Sequence, residues 1–166
     1  YLAQALLKAE PDLSVDLIDR LPVPYGLVRY GVAADHQGTK GVIRQFERLF
    51  ERQGAGFIGN VTIGEDVSLD ELRTAYDAVV LAAGLSADRA LGIPGETLKG
   101  VHRAGRLTRA LYEHPDAEPL PELGSRVVIM GNGNVAIDIL RLLAKTPEEL
   151  AGSDLGARPP AWLAGS

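Results

Sequence analysis

The sequence predicts an α/β fold built on parallel strands, and three observations carry that expectation. Short apolar runs alternate along the chain with helical patterns, as they do in successive βαβ units. The run VVIMGNGNVAIDIL, Val127–Leu140, reads as a strand, a glycine turn and a helix in direct succession. Composition allows a core, since 46% of the 166 residues are hydrophobic and 23% are charged.

The elements follow in order. YLAQALLKAE reads as a helix with Leu2, Leu6 and Leu7 on one face, stopping before Pro11. Ser14–Asp19 reads as a buried strand, and Arg20–Lys40 as a long Pro- and Gly-rich loop whose aromatic and aliphatic content argues against disorder. Lys40–Gly54 is expected to be a helix, with Val42, Ile43, Phe46, Leu49 and Phe50 as its apolar stripe and Gly54 as its stop. Gly56–Gly64 reads as a strand. Ser68–Tyr76 reads as a short helix opened by a capping box, with Ser68 at the N-cap and Glu71 three residues on. Asp77–Gly84 is expected to be a fully buried strand ending in small residues that leave room for a ligand or another backbone. Leu91–Val101 reads as a crossover, Ala104–Glu113 as a helix and His114–Ser125 as a linker. A strand Arg126–Met130 then leads through the glycine turn into a helix Asn134–Lys145, which Thr146-Pro147 should end. The tail Gly156–Ser166 shows no periodicity and reads as irregular, possible non-native sequence.

Several function classes are disfavoured at once. The net charge of −5, with both signs interspersed, argues against nucleic acid or an anionic membrane as the main partner. No apolar run reaches the length of a membrane span. Cysteine is absent, which excludes a redox dithiol and cysteine-ligated clusters within these residues and fits a reducing compartment. No metal site is expected.

The glycine turn carries the chemistry. Gly131, Gly133 and Ala136 fit G-x-G-x-x-A: the first permits the tight turn, the second lets backbone approach a pyrophosphate, and the third lets helix pack on strand. The helix N-terminus would offer unpaired N–H groups to the phosphates; the alternative is a turn needed only for packing. No second strand is visible after Lys145 to carry the residue that selects NAD or NADP. At the other end, a helix followed by a strand ending in an acid matches the second half of a dinucleotide unit. Asp19 would then meet ribose hydroxyls, and reads equally as a loop-entry acid paired with a neighbouring base. These residues therefore predict tandem Rossmann-like dinucleotide-binding domains, both incomplete, in a chain expected to be a fragment truncated at both ends.

Pro22–Phe46 (PVPYGLVRYGVAADHQGTKGVIRQF), Leu91–Glu96 (LGIPGE) and Gly131–Asp154 (GNGNVAIDILRLLAKTPEELAGSD) closely resemble the adrenodoxin reductase-like ferredoxin–NADP reductases, which are two-dinucleotide-binding-domain flavoproteins. The resemblance covers about residues 1–155. It implies an oxidoreductase that passes electrons from NADPH through FAD to a ferredoxin-type iron–sulfur protein, cytoplasmic and monomeric. It implies a partial FAD-binding domain over residues 1–103, the start of an NADP-binding domain over 104–155, and a tail over 156–166. For FAD it implies Asp19 on the adenosine ribose, Gly26 and Leu27 in the lining loop, Val61 on the adenine side, and Ala83 and Gly84 at the strand end. For NADP it implies Gly131, Asn132, Gly133, Asn134, Val135 and Ala136. His36, in the Asp35-His36 phrase, would join a proton or hydrogen-bond network near the flavin; a lone loop histidine otherwise reads as structural.

The chain departs from that family in places. The family's first glycine turn and its paired 2′-phosphate arginines are absent, Ala34 stands where the family has Pro, and Leu107–Asp116 lacks an aromatic-rich phrase. Arg29, Lys40, Arg44 and Arg48 read as a solvated face, with partner docking as the alternative. Other readings of the whole are a non-catalytic nucleotide-binding fragment, the reductase portion of a glutamate-synthase-type assembly (disfavoured by the lack of Cys), and a plain α/β scaffold with Arg20–Lys40 as an interaction loop.

Overall fold

A computed structural model describes residues 1–85 and 87–155; the expected irregular tail lies outside the described residues. By backbone contacts the chain forms two compact units. Unit 1 comprises Tyr1–Val28 and Gly41–Leu85, and unit 2 comprises Arg29–Lys40 with the described residues beyond 86.

Unit 1 is a small βαβ arrangement. Helix α1 (Leu2–Ala9) leads to strand β1 (Asp16–Ile18), and helix α4 (Ile43–Arg52) leads to strand β2 (Gly56–Ile58). The two strands are parallel and in register as Asp16↔Gly56, Leu17↔Phe57 and Ile18↔Ile58. The core is Ala3 and Leu7 from α1 with Leu49 and Ala55, flanked by Val15, Leu17 and Phe50. The apolar stripe expected on α4 thus faces inward at Leu49 and Phe50. On α1 the buried face is Ala3 and Leu7, while Leu2 and Leu6 remain 49% and 37% exposed. Helix α5 (Leu69–Ala75) opens on the expected capping box: Glu71 N donates to Ser68 Oγ at 3.1 Å and Ser68 N donates to Glu71 Oε2 at 2.8 Å.

The long segment Arg20–Lys40, expected as loop, contains two short helices, α2 (Gly26–Tyr30) and α3 (Gln37–Lys40). Tyr25 and Gly26, with φ of 88° and 44°, turn the chain into α2, and His36 N donating to Ala33 O at 2.9 Å turns it into α3. Local hydrogen bonds of this kind leave no apolar periodicity in the sequence, which is why the helices were not legible there.

Unit 2 packs helices α6 (Ala104–Leu111), α7 (Asn134–Ala144) and α8 (Pro147–Leu150) around one apolar cluster. That cluster holds Ala34, Leu107, Leu111, Tyr112, Ile139, Leu142 and Leu150. Thr146-Pro147 ends α7 as expected and also starts α8, because Thr146 and Glu149 form a second capping box around a Pro in the first turn.

Two expected strands are not formed. Asp77–Gly84 and Arg126–Met130 are without strand assignment, and the former is not buried: Val80 and Leu81 are 62% and 72% exposed. In the latter Val128 is 87% exposed and only Ile129 packs against the unit 2 cluster. A strand is defined by its ladder, and the sheet among the described residues contains β1 and β2 alone.

Leu142, 1% exposed, fills the centre of the unit 2 cluster, whereas Leu140 on the same helix is 53% exposed. Leu142→Ala is expected to cost about 2–5 kcal/mol in urea unfolding and Leu140→Ala well under about 1 kcal/mol. Equal losses would mean that α7 packs by a different face.

Candidate functional site

In unit 1 the ends of β1 and β2 are laced together by backbone. Asp19 N donates to Ile58 O at 3.0 Å, Val61 N to Asp19 O at 3.1 Å, and Asn60 N to Leu21 O at 3.2 Å. This brings two sequence-predicted residues, Asp19 and Val61, to the same strand edge. The close approach requires Gly59: a Cβ there would lie 2.8 Å from Leu21 O and 2.9 Å from Phe57 Cε1. Asp19 Oδ1 accepts from Leu21 N at 3.0 Å, which aims the carboxylate, and among the described residues Oδ2 has no hydrogen-bond partner. A half-buried carboxylate held this way, with one oxygen open, fits a ribose diol. Gly26 and Leu27 open α2, with Leu27 79% exposed. Ala83 is exposed, and Gly84 is exposed with φ of 66°.

In unit 2 the glycine turn has the conformation its motif requires. Gly131 has φ of 119°, a conformation glycine alone adopts readily. A Cβ at Gly131 would sit 4.0 Å from Ala136 Cβ, so the small residue at 136 sets the turn against its helix. Gly133 is the N-cap of α7, and Ile137 N donating to Gly133 O at 3.1 Å is the first bond of the helix. Ahead of it, the N–H groups of Asn134, Val135 and Ala136 have no intrahelical acceptor, and no side chain caps them. No acidic residue stands in the first turn to compete with an anion. Gly133 itself has φ of −75°, open to any residue, and a Cβ placed there would meet nothing within 4 Å. Sterically a larger residue would fit at 133, so the glycine leaves the approach to the N-cap open.

A second match to G-x-G-x-x-G, Gly54–Gly59, runs from the end of α4 into β2. It precedes a strand rather than a helix, so it exposes no row of helix N-terminal amides, and context separates it from the turn at Gly131.

His36 is exposed, and among the described residues its imidazole has no hydrogen-bond partner. The residues on either side are firmly held. Asp35 accepts a two-pronged bond from Arg141 of α7, Nε and Nη2 both at 2.7 Å, and a third from Lys145 Nζ at 2.6 Å. The Asp35 side chain is 6% exposed. The Arg141 hydrogen bonds outweigh burial and, with Lys145, hold the carboxyl far below the ordinary carboxylate range. The same contact, with Asp138 at 3.0 Å, raises Arg141 further above its ordinary value. Lys40, read from sequence as a solvated or docking cation, is instead buried. It is 7% exposed, bonds Asp154 Oδ2 at 2.6 Å and lies 5.6 Å from the centre of the Tyr112 ring. Burial and the nearby Asp138 push Tyr112 up to about 12. None of these pairings was read from the sequence.

A separate open cleft of about 480 Å³ in unit 2 is lined by alternating charges. Arg103 faces Glu96 at 3.1 Å, Arg106 faces Glu118 at 3.1 Å and Arg109 faces Asp88 at 3.7 Å, so its arginines are matched by acids. No helix of the described residues is long and apolar enough to cross a membrane.

Because the folded-state pKa of Asp35 lies below its ordinary 3.8, the stability it supplies is complete above that value and is lost as pH falls toward the folded pKa. The gap in urea stability between wild type and Asp35→Asn is expected to be constant from about pH 5 to 8 and to narrow below about pH 4. A gap that stays constant to pH 3, or widens on acidification, would contradict the ion pair.

The comparisons with known proteins bear on the fold and the family. The family model described as pyridine nucleotide-disulphide oxidoreductase matches residues 12–150. Cindoxin reductase of Citrobacter braakii is 51% identical over 156 residues, covering 93% of this chain and 34% of that protein. The mitochondrial NADPH:adrenodoxin oxidoreductase of Arabidopsis thaliana is 48% identical over 158 residues, covering 93% of this chain and 33% of that protein. The solved structure of Mycobacterium tuberculosis FprA in complex with NADPH superimposes with a TM-score of 0.87 at 44% identity, covering 93% of this chain and 36% of that one. The chain thus spans about a third of the length of the relatives it matches. On the family match and these likenesses, the chain belongs to the pyridine nucleotide-disulphide oxidoreductase family.

Proposed function

We propose that this chain provides nucleotide-binding parts of a flavin-dependent reductase that moves electrons from NADPH through FAD to a ferredoxin-type iron–sulfur protein. The observation that carries the proposal is Gly133: a glycine that no neighbouring atom requires, at the N-cap of α7, beside unpaired helix amides. The relatives support the chemistry, since several of them are named as NADPH:adrenodoxin oxidoreductase or NADPH-ferredoxin reductase.

In this reading unit 1 meets FAD and unit 2 meets NADP. The FAD candidates Asp19, Gly26, Leu27, Val61, Ala83 and Gly84 all fall in unit 1, and the NADP candidates Gly131 to Ala136 all fall in unit 2. We assign residues 1–103 mainly to FAD binding and 104–155 to NADP binding; by backbone contacts Arg29–Lys40 and residues 87–103 group with unit 2. The backbone N–H groups of Asn134, Val135 and Ala136 receive the pyrophosphate, and Gly133 lets it come close. Asp19 Oδ2 accepts a ribose hydroxyl. His36, exposed on its turn within unit 2, is the candidate for a proton or hydrogen-bond network in the electron transfer. Flavin, when bound, takes an electron pair from the nicotinamide and releases electrons singly, which suits a one-electron iron–sulfur acceptor. The parent enzyme is assigned to the cytoplasm, as a monomer.

The test is a titration of the purified chain with NADPH, read by nucleotide fluorescence, and separately with FAD. NADPH is expected to bind saturably. Gly133→Ala should weaken binding at least about tenfold with folding intact, because its φ suits alanine. Unchanged affinity in that variant, or no binding by the wild type, would overturn the assignment of the turn.

A further inference from the structure

We infer that Asp35 is a positioning residue for the nucleotide turn, acting through α7; the inference rests on the assignment of that turn to NADP. Alpha-helix α7 is anchored almost entirely by its C-terminal half. Ile139 and Leu142 are buried in the unit 2 cluster, at 6% and 1% exposure. In the N-terminal half, Val135 and Ile137 are 50% and 49% exposed. Ile129, ahead of the turn, packs against the cluster, but large apolar side chains of α7 itself do little to fix the end that carries Gly131–Gly133.

A helix is stiff, so its far end goes where its anchored end directs it. Leu142 and Ile139 contribute apolar contacts, which resist separation but are non-directional. The bond set at Asp35 is directional. A planar guanidinium locked two-pronged on a carboxylate fixes the rotation of Arg141, and Lys145, one turn further on, closes on the same oxygen. Two points of α7 are tied to one buried carboxylate. That carboxylate is itself held, because Ala33 and Ala34 beside it are fully buried and Asp154 N donates to Ala34 O at 3.2 Å. Lys40, bonded to Asp154, pins the other end of the same short segment. His36 is displayed between the two pins. The segment bearing His36 and the helix bearing the phosphate turn are thereby fixed to one another within unit 2.

The experiment compares wild type, Asp35→Asn and Asp35→Glu in NADP+ calorimetric titration and in backbone amide exchange. Asp35→Asn keeps the volume and loses the charge; Asp35→Glu keeps the charge. Asp35→Asn is expected to weaken NADP+ binding about tenfold and Asp35→Glu to restore it to within about threefold of wild type. In Asp35→Asn the Ile137 amide, the first bonded one of α7, should lose clearly more protection than those of Leu111 and Leu142, whose loss should not exceed the drop in urea stability. Unchanged NADP+ affinity in Asp35→Asn would overturn the inference. So would equal loss of protection at Leu111, Leu142 and Ile137, which would mark a merely structural role. If wild type binds no NADP+, the nucleotide reading fails and the inference falls with it as a statement about nucleotide; selective opening at Ile137 then still shows that Asp35 orders the head of α7, and its absence refutes that too.

Discussion

A single buried carboxylate organises the described part of unit 2. Asp35 lies 106 residues before Arg141 and 110 before Lys145, yet meets both at hydrogen-bond distance. Taking such a group out of water is costly, and only good geometry with its partners offsets that cost. Here the geometry is good: the carboxylate accepts from three nitrogens, two of them in the fork arrangement that suits arginine. Arg141 and Lys145 remain 27% and 28% exposed, so their own desolvation is partial. The result is a directional joint inside an otherwise greasy cluster.

Unit 1 reaches its order by another route. Its strands are short, and what fixes their ends is backbone lacing between Asp19–Leu21 and Ile58–Val61. That lacing needs a glycine at 59 and tolerates Asn60 with φ of 58°. The consequence is chemical as well as structural. It leaves one oxygen of Asp19 bonded to its own loop and the other open at the strand edge, where dinucleotide folds bind ribose.

Much of this was legible in the sequence, and the remainder was not for identifiable reasons. Helices α1, α4, α5, α6 and α7 follow from periodicity and caps, which are local signals, and the Ser68–Glu71 capping box is one of them. The turn at Gly131 was legible because Gly131, Gly133 and Ala136 keep the spacing of the dinucleotide-binding motif between an apolar run and a helical pattern. Helix α8 was legible in principle, since Thr146-Pro147-Glu148-Glu149 is a capping box with Pro in the first turn. The strands expected at Asp77–Gly84 and Arg126–Met130 rest on short apolar runs, and an apolar run forms a strand only when a neighbour completes the ladder. The pairs Asp35–Arg141 and Lys40–Asp154 span more than a hundred residues, and no local pattern announces them. Lys40 looked like a surface cation because its burial depends on those distant partners.

The central claim is that the turn at the head of α7 receives a nucleotide pyrophosphate, and mapping amide shifts of the 15N-labelled chain during NADP+ addition tests it most directly. The account expects the largest shifts at Asn132 to Ala136, with β1, β2 and the Gly54–Gly59 glycines little affected. Shifts centred on Gly54–Gly59, or scattered without a maximum at the head of α7, would contradict it.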